Sequence, residues 1–221
     1  MIAIFDLDGT LIDSAPDIHA AGSAVLAAEG LAPVTPAQSQ GFIGNGARVY
    51  VERLERAAAG ENLPARTARM QANFLANYET AHALTRVYPG VEAALASLRD
   101  AGWRLGLCTN KPHAPAQAVL AHFGWTGRFE AVIGGDSLAV HKPDPAPLRA
   151  VIARMGGAAP GVPVIYVGDS EVDAATAAAA TVPFALFTQG YRRGPLDAIP
   201  HDAAFDDWAE LPAIARTLCR R

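Results

Sequence analysis

Cysteine and positive charge are both scarce in this sequence. Only two of the 221 residues are cysteines, Cys108 and Cys219. That number is too small for a disulfide framework and is typical of proteins kept in a reducing compartment. The 18 basic and 22 acidic residues give a net charge of −4, whereas proteins that bind nucleic acids usually carry a basic excess. We therefore expect no nucleic-acid partner.

A membrane-length apolar run and a basic leader are missing as well. The longest apolar candidate, residues 177–187, is shorter than a membrane span and contains Thr181 and Pro183. No basic residues precede the first apolar run, which soon ends in acid at Asp6. These absences predict a cytoplasmic protein with no membrane partner.

Lysine is confined to two positions, Lys111 and Lys142, whereas arginine occurs 16 times. This contrast draws attention to both lysines. The hydrophobic fraction of 51% is ample for a buried core. The length suits one core domain with an insertion, or two small domains.

Two kinds of pattern divide the chain. An apolar run at residues 2–5 predicts a buried strand, and only helical signals follow between residues 14 and 86. From residue 87 onward helices alternate with predicted strands at 104–108, 130–133, 162–167 and 184–187, which indicates a parallel sheet covered by helices. We predict an α/β protein whose Rossmann-like core comprises residues 1–13 and 87–221, with an all-helical domain inserted at 14–86.

The insertion carries its own helix signals. Ser14 is positioned to cap a first helix, with Pro16 in its first turn. A long helical pattern covers residues 64–84 and places Met70, Phe74 and Tyr78 on one face. We interpret that face as the core of the insertion.

Polar residues follow four of the predicted strands. They are Asp6 and Asp8, then Thr109 and Asn110, then Lys142, and last Asp169 and Asp173. Ligands of an open parallel sheet bind at the carboxyl edge of its strands. Carboxylates gathered there repel one another unless a cation lies among them, and Mg²⁺ suits aspartate oxygens and a substrate phosphate. The hydroxyl, amide and ammonium groups would donate to anionic oxygens.

Four short motifs carry a family resemblance. DLDGT at 6–10, TN at 109–110, KP at 142–143 and GDSEVD at 168–173 are together similar to the four ordered motifs of the haloacid dehalogenase-like superfamily. The helical insertion resembles the cap domain of that superfamily's phosphatases. Within the chain, FIGNGARVYVERL, YPGV, TNKP and HKPDP look most like phosphoglycolate phosphatases.

The resemblance implies a Mg²⁺-dependent phosphatase that acts on a small phosphate monoester, with 2-phosphoglycolate the expected substrate. Asp6 would be the nucleophile that forms an aspartyl-phosphate, and Asp8 the general acid and base. Lys142 would balance the charge of the phosphoryl oxygens. The metal would be held by Asp6, the backbone carbonyl of Asp8 and Asp169, with Asp173 either supporting these groups or ligating the metal itself.

The expected phosphate-binding residues are Thr109 and Asn110, at the start of a helix where an anion is favoured. Thr109 could instead serve only as a helix cap. We expect Lys111 to be a solvated residue of the helix's first turn. Arg48, in the glycine-rich segment 41–48, could pair with a substrate carboxylate or lie on the surface of a helix.

Other activities of the same superfamily fit less well. Asp8 and Asp169 have no use in a metal-free dehalogenase, and no lysine for a Schiff base occurs in residues 14–86. Related sugar phosphomutases carry a histidine at the position of Ile18, although His19 is adjacent. A sugar phosphomutase and other small-phosphate phosphatases therefore stay open as alternatives.

A phospho-receiver module is the alternative that is not an enzyme. It also gathers carboxylates, a threonine and a lysine at a sheet edge, but it leaves an insertion of about seventy residues unexplained. We expect either a monomer or a homodimer. Hinges for movement of the cap are expected at residues 13–15 and 86–90, where the insertion joins the core.

Overall fold

The protein was analysed as a computed structural model that describes residues 1–159 and 161–219. The strands are β1 (Ile2–Phe5), β2 (Ile12–Asp13), β3 (Arg86–Val87), β4 (Arg104–Cys108), β5 (Ala131–Ile133), β6 (Val164–Gly168), β7 (Phe184–Phe187) and β8 (Ala203–Phe205). The helices are α1 (Ala15–Ala28), α2 (Pro36–Phe42), α3 (Gly46–Ala59), α4 (Pro64–Tyr78), α5 (Val91–Asp100), α6 (His113–His122), α7 (Ala146–Arg154), α8 (Glu171–Ala180) and α9 (Leu211–Leu218).

A six-stranded parallel sheet organises the core, in the order β5-β4-β1-β6-β7-β8. Strand β1 lies inside the sheet between β4 and β6, and all four of its residues are fully buried. A continuous apolar run of this kind is typical of a parallel strand covered on both faces. The predicted α/β fold with a parallel sheet is confirmed.

The sheet contains one strand that the sequence pattern did not predict. Strand β8 pairs with β7 at the edge of the sheet and has only three residues, Ala-Ala-Phe. Three residues are too few to show the alternation by which a strand is usually predicted.

Helices α1–α4 form a separate helical layer with its own apolar core. Ile18 of α1, Tyr50 and Leu54 of α3, and Phe74 of α4 are all buried together there. Helix α4 ends at Tyr78, six residues before the predicted end at 84. The next segment is bound elsewhere, because the Asp17 carboxylate accepts the backbone N–H groups of residues 84 and 85.

A short antiparallel ribbon lies where the chain leaves the core and returns to it. Strand β2 pairs with β3, so Ile12 faces Val87 and Asp13 faces Arg86. Ser14 precedes α1 but does not cap it with its side chain, contrary to the sequence-based expectation. Its hydroxyl instead donates to Asp8 at 2.6 Å, which draws the start of the insertion towards the sheet edge.

Across residues 1–159 and 161–219, every helix is too short or too polar to cross a membrane.

Candidate active site

Lys142 lies at the centre of a buried ionic cluster at the carboxyl edge of the sheet. Its side chain is 1% exposed, and its Nζ lies 3.0 Å from Asp6 Oδ1 and 2.7 Å from Asp173 Oδ1. Asp6 directly follows β1, whereas Asp173 lies in the first turn of α8. The fold thus brings together three residues that are distant in sequence, because the strand ends meet at one edge.

Asp173 is occupied on both of its oxygens. Oδ1 accepts hydrogen bonds from Lys142 Nζ and from the Tyr166 hydroxyl, the latter at 2.7 Å. Oδ2 accepts from the backbone N–H and the hydroxyl of Ser170, and the Ser170 side chain in turn caps α8. Although burial opposes it, Lys142 with these hydrogen bonds lowers the pKa of Asp173. This arrangement favours the supporting role among the two roles considered for Asp173.

Asp169 follows β6 and is held by two donors. The Thr10 hydroxyl donates to its Oδ1 at 2.7 Å, and the backbone N–H of Tyr191 donates to its Oδ2 at 2.6 Å. Gly9 packs beside the same carboxylate with φ of +87°. A side chain at that position would meet Asp169, so glycine allows the first loop to approach it.

The charge of the cluster is unbalanced. Burial, and then the charge of Asp173, raises the pKa of the Asp6 carboxyl to about 7 despite the attraction of Lys142. Burial and the neighbouring Asp173 and Asp6 likewise raise the pKa of Asp169 well above its usual value. With all groups ionised, three carboxylates and one ammonium sum to −2. A divalent cation would balance this charge.

The oxygen atoms needed for such a cation are also present. Single oxygens of Asp6, Asp169 and Asp173 lie within 4.8 Å of one another. Asp6 Oδ1 is buried and accepts no well-aligned hydrogen bond within the described part of the chain, although Lys142 Nζ is near it. Buried carboxylate oxygens with unbalanced charge are the ligands that a hard cation prefers, so Asp6 and Asp169 fit Mg²⁺, with Asp173 close behind them.

Asp8 lies beside this cluster, and its carboxylate accepts hydrogen bonds from residues outside the cluster. Its Oδ1 accepts from the Ser14 hydroxyl at 2.6 Å and from Lys111 Nζ at 3.1 Å, and its Oδ2 accepts from the Tyr78 hydroxyl at 3.4 Å. Tyr78 is the last residue of α4. A helix of the insertion therefore reaches the carboxylate expected to act as acid and base.

The expectation that Lys111 is solvated is wrong. Its side chain is 1% exposed, and its Nζ donates to the Tyr78 hydroxyl as well as to Asp8. Burial lowers the pKa of Lys111, and the Asp8 charge opposes that effect. Lys111 precedes the helix rather than lying in its first turn, because α6 starts only at His113.

Thr109 and Asn110 follow β4 and are both buried at the site. The Thr109 hydroxyl accepts the backbone N–H of Lys111 at 3.2 Å. The side-chain amide of Asn110 donates to the carbonyls of Lys142 and Gly44, each at 2.9 Å, and its oxygen accepts the Lys142 N–H at 3.0 Å. The Asn110 side chain thus contacts both Lys142 and Gly44, which lies between α2 and α3. Both N–H donors of its amide are occupied by these contacts.

Arg48 is not brought to this cluster. It lies in α3 with a side chain that is 64% exposed, and its Nη1 pairs with Glu52 at 2.5 Å. One groove that Arg48 lines is on the surface of the helical insertion. The other lies between the insertion and the core, and it shares Gly46, Ala47, Asn110 and Pro112 with the cavity bounded by Asp6 and Asp8, which Arg48 itself does not line.

That cavity lies between the sheet edge and the cap. Its polar end is formed by residues that follow β1 and β4, and its apolar end by side chains of the insertion. The lining comprises Asp6, Asp8, Thr109, Asn110, Lys111 and Pro112 on the core side and Ile18, Ile43, Gly44, Gly46, Ala47, Tyr50, Phe74 and Tyr78 on the cap side. The space suits a small ligand with its anionic end at the sheet.

Three tyrosines hold the site although no motif pointed to them. Tyr166 bridges Lys142 and Asp173, Tyr78 contacts Asp8, and Tyr191 contacts Asp169 through its backbone. Their partners in these contacts lie between 7 and 70 positions away in the sequence, so no local pattern marks them. The scarcity of lysine was the one feature of the sequence that drew attention to Lys111, since lysine occurs at only one other position.

Comparisons with known proteins place the chain among hydrolases. The model of the haloacid dehalogenase-like hydrolases matches residues 1–181. A phosphoglycolate phosphatase of Cereibacter sphaeroides (strain ATCC 17029 / ATH 2.4.9) is 54% identical over 217 residues, which is 97% of each chain. A phosphoglycolate phosphatase of Rhodobacter capsulatus is 44% identical over 214 residues, covering 96% of this chain and 94% of the relative.

A solved structure supports the same placement. The crystal structure of a predicted phosphoglycolate phosphatase from Haemophilus somnus 129PT superposes with a TM-score of 0.90 at 30% identity, and the match covers 96% of each chain. The similarity therefore includes the sheet and the helical insertion together.

Proposed function

The chain belongs to the haloacid dehalogenase-like hydrolases, and from this premise we propose that it is a Mg²⁺-dependent phosphatase that hydrolyses 2-phosphoglycolate. The observation that carries the proposal is the buried cluster of Asp6, Asp169, Asp173 and Lys142 beside Asp8. It combines a nucleophile, a cation site and an ammonium group at the polar end of one cavity.

Asp6 is the nucleophile of the first step. One of its carboxylate oxygens attacks phosphorus, the bond from phosphorus to the ester oxygen breaks, and an aspartyl-phosphate forms on Asp6. Asp8 gives its proton to the departing oxygen, so the alcohol leaves neutral. Lys142 supplies positive charge to the phosphoryl oxygens while Asp173 and Tyr166 hold its ammonium group in place.

Asp8 also serves the second step. Having lost its proton, its carboxylate takes a proton from a water molecule that attacks the phosphorus of the aspartyl-phosphate. The bond between phosphorus and the Asp6 oxygen then breaks, which releases inorganic phosphate and returns both aspartates to their starting states. The ester is therefore attacked by a positioned carboxylate instead of water, which is a poorer nucleophile. Water attacks only the aspartyl-phosphate, in the second step.

Asp6, Asp169 and the backbone carbonyl of Asp8 would hold the metal ion. When bound, Mg²⁺ neutralises charge that develops on the phosphoryl group. Thr10 and the Tyr191 backbone orient Asp169 for this task. Ligating carboxylates that are hydrogen-bonded in this way bind metal more tightly than unsupported ones.

A panel of phosphate esters tests the proposal. With Mg²⁺ present, 2-phosphoglycolate should give the highest kcat/KM among 2-phosphoglycolate, p-nitrophenyl phosphate and a set of sugar phosphates. EDTA should abolish turnover, and added Mg²⁺ should restore it. Asp6→Asn, which keeps the size of the side chain, should lose about 10³-fold or more of kcat without loss of circular dichroism. Full activity in EDTA, or in the Asp6→Asn variant, would refute the mechanism.

The aspartyl-phosphate can be trapped in Asp8→Asn. The p-nitrophenolate group leaves without protonation, so this variant should still transfer the phosphoryl group from p-nitrophenyl phosphate to Asp6. Hydrolysis of the intermediate should be slow because no base activates water. Acid quenching followed by mass spectrometry should find one phosphoryl group on the peptide that contains Asp6, and none in the matched Asp6→Asn variant.

A further inference from the structure

Lys111 places a buried ammonium group at the edge of the cavity. It lines the same space as Asp6 and Asp8, and among the described residues of that lining it is the one cation. Lys142 is engaged instead with Asp6 and Asp173. The two lysines of this arginine-rich chain therefore serve different parts of one site.

The contacts of Lys111 leave room for a ligand. Its Nζ lies 3.1 Å from Asp8 Oδ1 and also donates to the Tyr78 hydroxyl. An ammonium group has three N–H donors, and in the described part of the chain its acceptors are the Tyr78 hydroxyl and the two carboxylate oxygens of Asp8. The contact with Asp8 Oδ2 is long, at 3.5 Å, so a closer anionic acceptor would replace it. Tyr78 fixes the direction of the side chain from the cap side, with Nζ 3.9 Å from the ring centroid.

Lys111 lies next to the place where the leaving group is expected. Asp8 protonates the departing oxygen in the proposed mechanism, so the leaving group lies against Asp8. In 2-phosphoglycolate only a methylene group separates this oxygen from the carboxylate. A cation in contact with Asp8 is therefore within reach of that carboxylate.

The charges around Lys111 also favour a substrate carboxylate at this place. Asp8 is the carboxylate within ion-pair distance of Lys111 in the described part of the chain. The Lys111 side chain is only 1% exposed, and a buried charge is costly unless anionic groups lie close to it. A carboxylate on the substrate would give this ammonium group a second anionic partner beside Asp8.

We propose that Lys111 binds the carboxylate of the leaving group and thereby selects 2-phosphoglycolate over phosphate esters that are neutral at that position. This inference rests on the proposed function, and it assigns to a core residue the role that the sequence suggested for Arg48. Tyr78 acts as a positioning residue that holds the Lys111 ammonium against the cavity.

A comparison of two enzymes on two substrates tests whether Lys111 binds the carboxylate. The enzymes are the wild type and Lys111→Met, which keeps the length of the side chain and removes its charge. The substrates are 2-phosphoglycolate and carbamoylmethyl phosphate, in which a neutral amide replaces the carboxylate. The wild type should prefer 2-phosphoglycolate, and Lys111→Met should lower this ratio of kcat/KM values by at least about tenfold.

The ratio separates binding of the carboxylate from an effect on Asp8. Loss of a carboxylate contact lowers kcat/KM for 2-phosphoglycolate by at least about tenfold more than for the amide, whereas an effect through Asp8 lowers both by the same factor. If both substrates lose the same factor, Lys111 acts through Asp8 and the inference is overturned. If the wild type does not prefer the carboxylate, the proposed substrate fails instead.

Two further variants secure the result. Arg69→Met removes a cation from α4 whose side chain is 59% exposed and paired with Glu29, so the substrate ratio should match wild type. Lys111→Gln repeats the measurement with a neutral polar end should Lys111→Met fail to fold. An unchanged substrate ratio in a folded neutral variant at position 111 would overturn the inference.

Discussion

The hydroxyl of Tyr191 accepts a hydrogen bond from the backbone N–H of Ser14 at 2.7 Å, where the chain leaves the sheet for the helical insertion. The same hydroxyl accepts the N–H of Ala15 at 2.9 Å and donates to Asp13 at 2.7 Å. The backbone N–H of Tyr191 meanwhile holds Asp169. One residue therefore joins the proposed metal ligand to the segment at which the cap begins.

Removing this hydroxyl should destabilise the protein. Tyr191→Phe leaves the buried Ser14 N–H without its acceptor and leaves the Ala15 N–H only its longer bond to Asp13 Oδ1 at 3.3 Å, which should cost about 1–3 kcal/mol of unfolding free energy. Urea unfolding followed by circular dichroism measures the change. Thr217→Val removes an exposed hydroxyl from α9 and should stay within about 0.5 kcal/mol of wild type. Equal stability of Tyr191→Phe and wild type would show that water replaces the lost acceptor.

Local sequence pattern was sufficient for the core strands. The bounds of β1, β4 and β7 agree with the prediction because each is a short apolar run that ends in a polar or turn-forming residue. The strand ends in turn predicted which residues would share the sheet edge. Asp6, Lys142 and Asp169 do lie together there, since parallel strands present their carboxyl ends on one side.

Contacts between distant segments could not be predicted in the same way. Lys111 was expected in solvent because a charged residue in a first helical turn is usually exposed. Its burial depends on Asp8 and Tyr78, which lie 103 and 33 positions away in the sequence. The segment after α4, predicted as helix up to residue 84, is likewise bound by a distant residue, since the Asp17 carboxylate accepts the N–H groups of residues 84 and 85. Such partners are known only once the fold is known.

Gly9 should be essential for binding of the metal ion. Gly9→Ala would place a methyl group against the Asp169 carboxylate and also strain a backbone with φ of +87°. We expect the Kd for Mg²⁺, measured by isothermal titration calorimetry, to rise by at least about tenfold. Gly30→Ala is the matched control, because φ is +66° there and nothing lies within 4 Å of the added carbon. Similar Mg²⁺ affinity in both variants would mean that Asp169 is not a ligand.

A buried carboxylate in the cap should make stability depend on pH. Glu55 is fully buried and accepts hydrogen bonds from Arg66, Asn62, Thr67 and the Leu63 N–H. Although burial alone would raise it, these bonds lower the pKa of Glu55 from 4.5 to about 2. The folded state therefore favours the ionised form. This stabilisation is complete above the unfolded pKa and is lost as the pH falls from 4.5 towards 2.

Glu55→Gln should reveal this contribution. At neutral pH the variant should lose about 1–3 kcal/mol of unfolding free energy, because buried donors lose an ionised acceptor. The difference from wild type should shrink as urea unfolding is repeated from about pH 6 to about pH 3. Glu52→Gln, on the exposed side of the same helix, should follow the wild-type curve. A difference for Glu55→Gln that does not change with pH would contradict the role of its charge.

Arg48 tests whether substrate selection comes from the surface of the cap or from the core. Its pair with Glu52 spans one turn on the exposed face of α3, and such pairs contribute about 0.3–0.5 kcal/mol. Arg48→Ala should therefore change stability little, and it should keep the preference for 2-phosphoglycolate over carbamoylmethyl phosphate within about twofold. Steady-state kinetics on both esters, run beside Lys111→Met, gives the comparison. A tenfold loss in Arg48→Ala, with no loss in Lys111→Met, would mean that the arginine enters the cavity when substrate binds, as its place in the glycine-rich segment first suggested.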